Sequence, residues 1–122
     1  MTIYQDNEIY IQTEKSEIPW LIIFTKEKYK ELGDVPKKLR TKLWDTFDII
    51  EKEMKAYYKP KKINMASFAN MLPRVHIHVM ARFEDDNYFP NPMWGEKLRE
   101  ANLELPNEED FHKQLLLKLE SL

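Results

Sequence analysis

The pattern of apolar and polar positions predicts two strands in the first quarter of the chain. Glu8 to Thr13 alternates between apolar and polar residues, and Ile18 to Phe24 is one nearly continuous apolar run. Alternation is typical of a strand with one solvated face, whereas a short unbroken run is typical of a strand covered on both faces. Pro19 suits the start of this second strand, because proline cannot donate a hydrogen bond to a neighbouring strand.

The apolar positions in the next part of the chain have the period of a helix. Between Asp34 and Pro60, apolar residues recur at steps of three and four, and this spacing predicts one long helix whose stripe packs on the core. The stripe consists of Leu39, Leu43, Phe47, Ile50, Met54 and Tyr57. Asp34 is the predicted cap, with Pro36 in the first turn. Pro60 is expected to end the helix, because the residue before a proline disfavours the α conformation.

The second half of the chain predicts more strands and a last helix. Residues 62–83 read as two strands joined by a short turn near Asn70–Pro73, and residues 83–95 as an ordered loop rich in proline and aromatic residues. Residues 107–122 predict a C-terminal helix capped by Asn107. Helices segregated from a mostly antiparallel sheet make an α+β fold, and we expect a single domain over residues 1–122.

Composition narrows the functional classes. The absence of cysteine excludes disulfides and thiolate metal sites. Charged residues make up 33% of the chain with both signs interspersed and a net charge of -2, which argues against a nucleic-acid partner. The longest apolar run is too short to span a bilayer, and the N-terminus lacks the pattern of a signal peptide. These features predict a soluble cytoplasmic protein with no membrane partner.

Two of the three histidines lie in the segment PRVHIHVMAR, Pro73 to Arg82. In a strand, residues two apart face the same way, so Arg74, His76, His78 and Met80 are expected on one face. The apolar residues between them are expected to pack against the core. The backbone positions of the two histidines would then lie roughly 7 Å apart. At that separation the two rings can converge on one small group.

Three interpretations of the histidine pair remain open from the residues alone. The first is a polar, half-exposed strand face that happens to include histidine. The pair can instead supply two nitrogen ligands to a metal ion, which needs a third ligand. Glu84, Asp85 and Asp86 are nearby in sequence, whereas His112 lies in the predicted C-terminal helix. Finally, a neutral imidazole is a competent nucleophile toward phosphorus, and a second imidazole can manage the proton of the leaving group.

The longer segment KINMASFANMLPRVHIHVMARFEDDNYFPNPMWG resembles the histidine-triad (HIT) family of nucleotide-binding hydrolases and transferases. It is most similar to a short bacterial branch in which a Lys-Ile-Asn strand leads to Pro-x-x-His-x-His and then Ala-Arg. The upstream IPWLIIF also resembles the Pro-Trp-Leu-Ile strand of that branch. The likeness runs from about Ile18 to Gly95, and it implies a HIT-like sheet of about five strands with one long and one C-terminal helix.

The family motif is His-φ-His-φ-His-φ-φ, where φ is apolar, and its histidines align with Arg74, His76 and His78. The resemblance implies that His76 is the nucleophile and that His78 contacts the phosphate and the departing group. It further implies that Asn64 and, more loosely, Asn70 bind the nucleotide or its phosphate. Arg74 departs from the motif. Its carbonyl can still hold His76, while its guanidinium is expected to bind phosphate or to pair with a surface acid such as Glu84 or Asp85.

By resemblance, the chain is a homodimer that hydrolyses a nucleoside phosphoramidate or a dinucleoside polyphosphate through a nucleotidyl-histidine intermediate. The partner would be a purine nucleotide or nucleotide conjugate, and neither a cofactor nor a metal is implied. Lys28 stands where many family members have another histidine. A nucleotide-binding module without turnover and a metal-binding β-domain are the alternatives. For Trp20 and Trp94 we favour packing over base stacking.

Overall fold

The computed structural model describes residues 1–122, and its antiparallel sheet carries two helices. The elements in chain order are β1 (Thr2–Gln5), β2 (Ile9–Thr13), β3 (Trp20–Thr25), α1 (Lys37–Tyr58), β4 (Lys62–Ala66), β5 (His76–Arg82) and α2 (Glu108–Leu119). The spatial order of the strands is β1-β2-β3-β5-β4, and every neighbouring pair is antiparallel. The predicted α+β fold is therefore confirmed.

The strand β3 is buried from Leu21 to Thr25, as its unbroken apolar run predicts. The sequence pattern missed β1, a short edge strand whose pairing with β2 shifts register between Thr2 and Tyr4. Four residues with an irregular register are too few to show an alternation. The β1–β2 turn is fixed by Asp6, whose Oδ1 accepts the N–H groups of Glu8 and Ile9 at 2.8 and 3.0 Å.

Helix α1 lays its apolar stripe on one face of the sheet. Its buried residues are Leu39, Leu43, Thr46, Phe47, Ile50, Met54 and Tyr58. Tyr58 thus takes the last core position, and the predicted Tyr57 packs at its margin. The helix ends before Pro60, as predicted, with Lys59 in the left-handed conformation. On this side, α1 packs against β5 and against α2.

The predicted cap of α1 is wrong. Asp34 belongs to a 3₁₀ turn, Leu32–Asp34, and its Oδ2 accepts the N–H of Glu31 at 3.1 Å. The extended Pro36 occupies the cap position instead, and its carbonyl accepts the N–H of Arg40 at 2.9 Å. Because helical geometry begins only after Pro36, Asp34 lies too early in the chain to reach the first free N–H groups.

The link between β4 and β5 is longer than the predicted short turn, because it spans residues 67–75. Its start is fastened by Ser67, whose hydroxyl donates to the carbonyl of His76 at 2.8 Å. Near its end, the N–H of Val75 donates to the carbonyl of Tyr29 at 2.8 Å. Ala69 in this loop has a positive φ of 56°, an unusual conformation for a residue with a side chain.

The chain after β5 is irregular up to α2. Asn107 caps α2 as predicted, and its Oδ1 accepts the N–H of Asp110 at 3.0 Å. The buried face of α2, which includes Phe111 and Leu115, joins the same core cluster as α1 and the sheet. Neither helix combines the length and the apolar content that a membrane span requires.

Replacing Phe47 by alanine is expected to lower the free energy of unfolding by about 3–5 kcal/mol, because the ring fills the core between α1 and the sheet. Urea unfolding followed by circular dichroism measures this loss. Asp48 is the matched control, since it is the next residue of α1 and is exposed. Asp48→Ala should change stability by less than about 0.5 kcal/mol. Equal effects of the two substitutions would contradict the core position of Phe47.

Candidate active site

The interior strand β5, between β3 and β4, has one apolar face and one histidine face, as its period predicts. The residues buried in the core beneath α1 are Val75, Ile77, Val79 and Ala81. His76 and His78 lie on the opposite face, and their ring centroids are 5.0 Å apart in an edge-to-face arrangement. The two rings are therefore closer to each other than the backbone positions of the two histidines, which are roughly 7 Å apart.

The two histidines line a cleft of about 600 Å³ between the sheet and the surrounding loops. The residues that line it are Glu14, Phe68, Ala69, Asn70, Met71, His76, His78 and Trp94. The predicted site residues His76, His78 and Asn70 are thus brought together. The loop from β4 to β5 supplies much of the wall, so its length determines the shape of the cleft.

His76 is held from two sides. Its ring stacks on Phe24 with centroids 5.3 Å apart and an angle of 22° between the planes, and Phe24 stacks in turn on Tyr10 at 4.8 Å. Its Nδ1 lies 2.8 Å from the carbonyl oxygen of Arg74. Because a carbonyl oxygen can only accept, Nδ1 of the neutral ring carries the proton, and Nε2 keeps its lone pair.

His78 is enclosed by aromatic rings. The Nε1–H of Trp20 donates to His78 Nδ1 at 3.0 Å, and the ring of Trp94 lies edge-on with its centroid 4.9 Å away. Burial lowers the pKa of His78 to about 4, because it disfavours the charged ring, and the neighbouring His76 acts in the same direction. His78 is therefore uncharged at neutral pH.

Arg74 does not pair with Glu84 or Asp85, so this sequence-based alternative is wrong. Its guanidinium donates to the backbone carbonyl of Thr25 and lies over the rings of Tyr10 and Phe24, 5.8 and 5.4 Å from their centroids. The side chain is absent from the lining of the cleft. The guanidinium that was expected to be free is thus engaged with the carbonyl of Thr25 and with the rings of Tyr10 and Phe24.

Asn64 lies in an adjoining cavity of about 400 Å³, which shares Phe68 and Trp94 with the histidine cleft. Its Oδ1 accepts a hydrogen bond from Arg82 Nη1 at 2.8 Å. A guanidinium can only donate, so this bond determines the orientation of the amide. The NH₂ group of Asn64 is left as a donor for a ligand.

Sequence reasoning missed the role of Arg82 and Asp86, which form a fully buried ion pair at 2.9 Å. Burial alone raises the pKa of Asp86, but Arg82 and the N–H groups of Phe83, Tyr88 and Phe89 hold that pKa below its usual value. Arg82 also donates to the carbonyl of Asn91 at 2.7 Å. The sequence does carry a signal for this ion pair. Arg82 continues the two-residue period that places the histidines on one face, and an acidic run follows it.

The side chains considered as a third metal ligand lie elsewhere. Glu84 pairs with Lys61 at 3.0 Å, and Asp86 is committed to Arg82. His112 sits on α2, 3.5 Å from Glu108. No group of three or more histidine or acidic side chains is arranged to hold a metal ion. Lys28 is exposed and is not among the residues that line the cleft.

The two tryptophans pack against each other. Trp20 and Trp94 meet edge to face with centroids 5.3 Å apart, and Trp94 also contacts Phe68 at 4.9 Å. Trp94 remains 48% exposed, whereas Trp20 is partly buried beneath it. This aromatic group closes one end of the cleft beside His78.

The fold is similar to that of solved histidine-triad proteins. One from Bradyrhizobium japonicum is 23% identical, with a TM-score of 0.80, 97% of this chain covered and 89% of that one. One from Sinorhizobium meliloti is 24% identical, with a TM-score of 0.75, 100% of this chain covered and 89% of that one. A zinc-bound histidine triad family protein from Mycobacterium smegmatis is 16% identical, with a TM-score of 0.63, 98% of this chain covered and 86% of that one. At these identities the likeness concerns the fold.

Sequence comparison gives the family. No curated protein matches the chain. The family model of the HIT domain, however, matches residues 1–85, which include β1 to β5 and both histidines of the cleft. Because this match spans more than half of the chain, the protein belongs to the HIT domain family.

Proposed function

We propose that this protein hydrolyses a nucleotide conjugate, either a nucleoside phosphoramidate or a dinucleoside polyphosphate, with His76 as the nucleophile. The hydrogen bond between His76 Nδ1 and the carbonyl of Arg74 carries the proposal. It fixes the tautomer whose Nε2 lone pair can attack phosphorus. Stacking on Phe24 holds the ring at the same time, so little reorganisation is needed before attack.

The reaction has two steps. His76 Nε2 forms a bond to the α-phosphorus, and the bond to the leaving group breaks with its electron pair remaining on the leaving group. Water then attacks the same phosphorus and releases one proton to solvent, while the departed leaving group takes up one proton from solvent. The phosphorus–nitrogen bond breaks, and the electron pair returns to His76 as the mononucleotide departs. Two displacements through a covalent intermediate replace one difficult hydrolysis.

The remaining site residues would bind the substrate. Asn70 lines the same cleft as the histidines, and Asn64 offers its NH₂ group in the adjoining cavity. We assign the phosphate to Asn70 and His78 and the nucleoside, a purine in our proposal, to the Asn64 side. Arg74 contributes through its backbone carbonyl. Its side chain supports the Tyr10–Phe24 stack beneath His76.

His76→Ala is expected to lower kcat by at least about 10³-fold, because the nucleophile is lost. Arg74→Ala keeps the carbonyl that holds His76 and should raise KM only modestly and change kcat by less than about threefold, because the side chain does not line the cleft. Steady-state mononucleotide release from adenosine and guanosine phosphoramidates and dinucleoside polyphosphates measures both. Mass spectrometry should map an acid-labile nucleotide adduct to His76.

Lys52→Ala serves as the control, because it removes an exposed cation from α1 outside the cleft. An adduct mapped to His78, or full activity in His76→Ala, would refute the assignment of the nucleophile. A loss of kcat in Arg74→Ala as large as that in His76→Ala would place its side chain in the chemical step.

Two other functions compete with hydrolysis. A nucleotide-binding module with little turnover is favoured by the departures from the family motif at Arg74 and Lys28. Tight nucleotide binding without product would support it. A metal-binding domain is favoured by the zinc-bound relative from Mycobacterium smegmatis, although the cleft of this chain has only two histidines and one carboxylate, that of Glu14.

Removing metal ions with a chelator distinguishes the hydrolase from the metal-binding domain. We expect mononucleotide release to survive dialysis against EDTA, because an imidazole nucleophile does not need a metal-activated water. Activity before and after dialysis, with the metal content measured by mass spectrometry, gives the result. Loss of activity on chelation and its recovery with zinc or manganese would favour the metal-dependent alternative.

We propose that the protein acts as a homodimer of single-domain subunits in the cytoplasm, a location consistent with the absence of cysteine. An apolar surface crosses from α1 to the edge strand β4. It includes Trp44 and Met65, which are 52% and 43% exposed, and a small cavity lies between them. Exposed apolar groups beside an unpaired strand edge are typical of an association surface.

Trp44→Glu is expected to convert the dimer to monomer, because a carboxylate would be buried in the apolar contact. Sedimentation velocity measures the change. Leu117→Glu is the matched control, since it places the same charge on the exposed face of α2 and should leave the dimer intact. A wild-type protein that sediments as a monomer, or equal dissociation in both variants, would contradict this surface.

A further inference from the structure

The hydrogen bond between Trp20 Nε1 and His78 Nδ1, 3.0 Å long, has a definite direction. An indole nitrogen carries a proton and has no lone pair to offer, so it can only donate. His78 Nδ1 must therefore be the acceptor. A neutral His78 in this contact bears its own proton on Nε2, and Nε2–H is the group it can present to a ligand.

The neighbouring histidine is held in the opposite tautomer. His76 bears its proton on Nδ1, because Nδ1 faces the carbonyl of Arg74, and its Nε2 is a lone pair. Two rings 5.0 Å apart in the same cleft thus differ in what they offer. His76 offers an electron pair, and His78 offers a hydrogen-bond donor.

The sheet register creates the Trp20 contact. Trp20 lies opposite Met80 on β5, and Ile22 lies opposite His78, so Trp20 is the diagonal neighbour of His78. Diagonal pairs on one face are within reach of long aromatic side chains. The indole is held in turn against Trp94, which also covers the His78 ring. Trp20 is therefore fixed where its N–H meets Nδ1.

We propose that Trp20 is a positioning residue that keeps His78 as a neutral Nε2–H donor toward the phosphate of the substrate. The inference rests on the proposed function for its effect on catalysis, but the tautomer itself follows from the contact alone. His78 then donates a hydrogen bond to a phosphoryl oxygen as charge develops there. It does not compete with His76 as a nucleophile, because its own lone pair is occupied by the indole.

The electrostatic surroundings agree with this assignment. Burial lowers the pKa of His78 to about 4, and His76 adds to the effect. The only other titratable group that lines the cleft is Glu14. The remaining neighbours do not titrate, and they are Trp20 and Ile22 on β3, Ala66 on β4, and Asn70 and Trp94 in the loops. A proton on Nδ1 would break the Trp20 contact, so loss of the indole should raise the pKa of His78.

The first test is nuclear magnetic resonance of protein labelled with ¹⁵N-histidine, without substrate. In the wild type at pH 7, His78 should show a protonated Nε2 and an unprotonated Nδ1. Trp20→Phe keeps a ring but removes the donor. It should populate both tautomers and raise the pKa of His78 by about one unit, because one hydrogen bond is lost.

Trp94→Phe is the matched control for the tautomer, since Trp94 contacts His78 through its ring and makes no hydrogen bond to it. It should leave Nε2 protonated as in the wild type. A wild-type His78 with the proton on Nδ1 would overturn the proposal even if no variant folded. An unchanged tautomer in folded Trp20→Phe would also overturn it.

The second test is kinetic. Trp20→Phe should lower kcat about tenfold at pH 7 with KM changed less than about twofold, because the donor acts on the charge that develops during reaction. A drop in kcat in Trp20→Phe without the change of tautomer in the resonance experiment would assign Trp20 a structural role only. If the wild type hydrolyses no conjugate while the resonance results hold, the proposed function fails and the positioning of His78 stands.

Discussion

The two-residue period of β5 is the constraint on which the site depends. The strand lies between β3 and β4, with core residues on one face and both histidines on the other. A slip by one residue would expose Ile77, Val79 and Ala81 and bury the imidazoles beneath α1. Burial of the apolar face therefore fixes the register of β5, and this register determines the face on which the histidines lie. Stability and chemistry are carried by the same seven residues of backbone.

The buried ion pair of Arg82 and Asp86 links β5 to the loop that follows it. An ion pair with exposures of 1% and 0% is costly to desolvate unless its remaining hydrogen-bonding groups are satisfied. Here Asp86 also accepts three backbone N–H groups, and Arg82 reaches both Asn64 and the carbonyl of Asn91. The pair thereby shapes the loop that carries Trp94 and orients the Asn64 amide. The pair itself lines neither the histidine cleft nor the adjoining cavity.

The histidines also illustrate how similar side chains acquire different roles. His76 faces an obligate acceptor, a carbonyl, and His78 faces an obligate donor, an indole N–H. Neither partner can reverse its role, so each ring is restricted to one neutral tautomer. The departure of Arg74 from the family motif does not disturb this, because the carbonyl belongs to the backbone. Its guanidinium instead stacks on the aromatic row that supports His76.

The sequence by itself determined the elements with a clear period and the face on which the histidines lie. Local spacing is enough for α1, α2, β2, β3 and the two faces of β5, because each pattern is contained in one element. It did not determine β1, the cap of α1 or the length of the β4–β5 loop, since short or irregular segments carry no period. The partners of His78 and Arg74 are 58 and 49 residues away in the chain, and only the tertiary structure brought them together. The tautomer of His76 depends on the carbonyl of Arg74, only two residues away, which the family resemblance already implied. The tautomer of His78 depends on Trp20, so the sequence identified the two rings and the fold decided what His78 can offer.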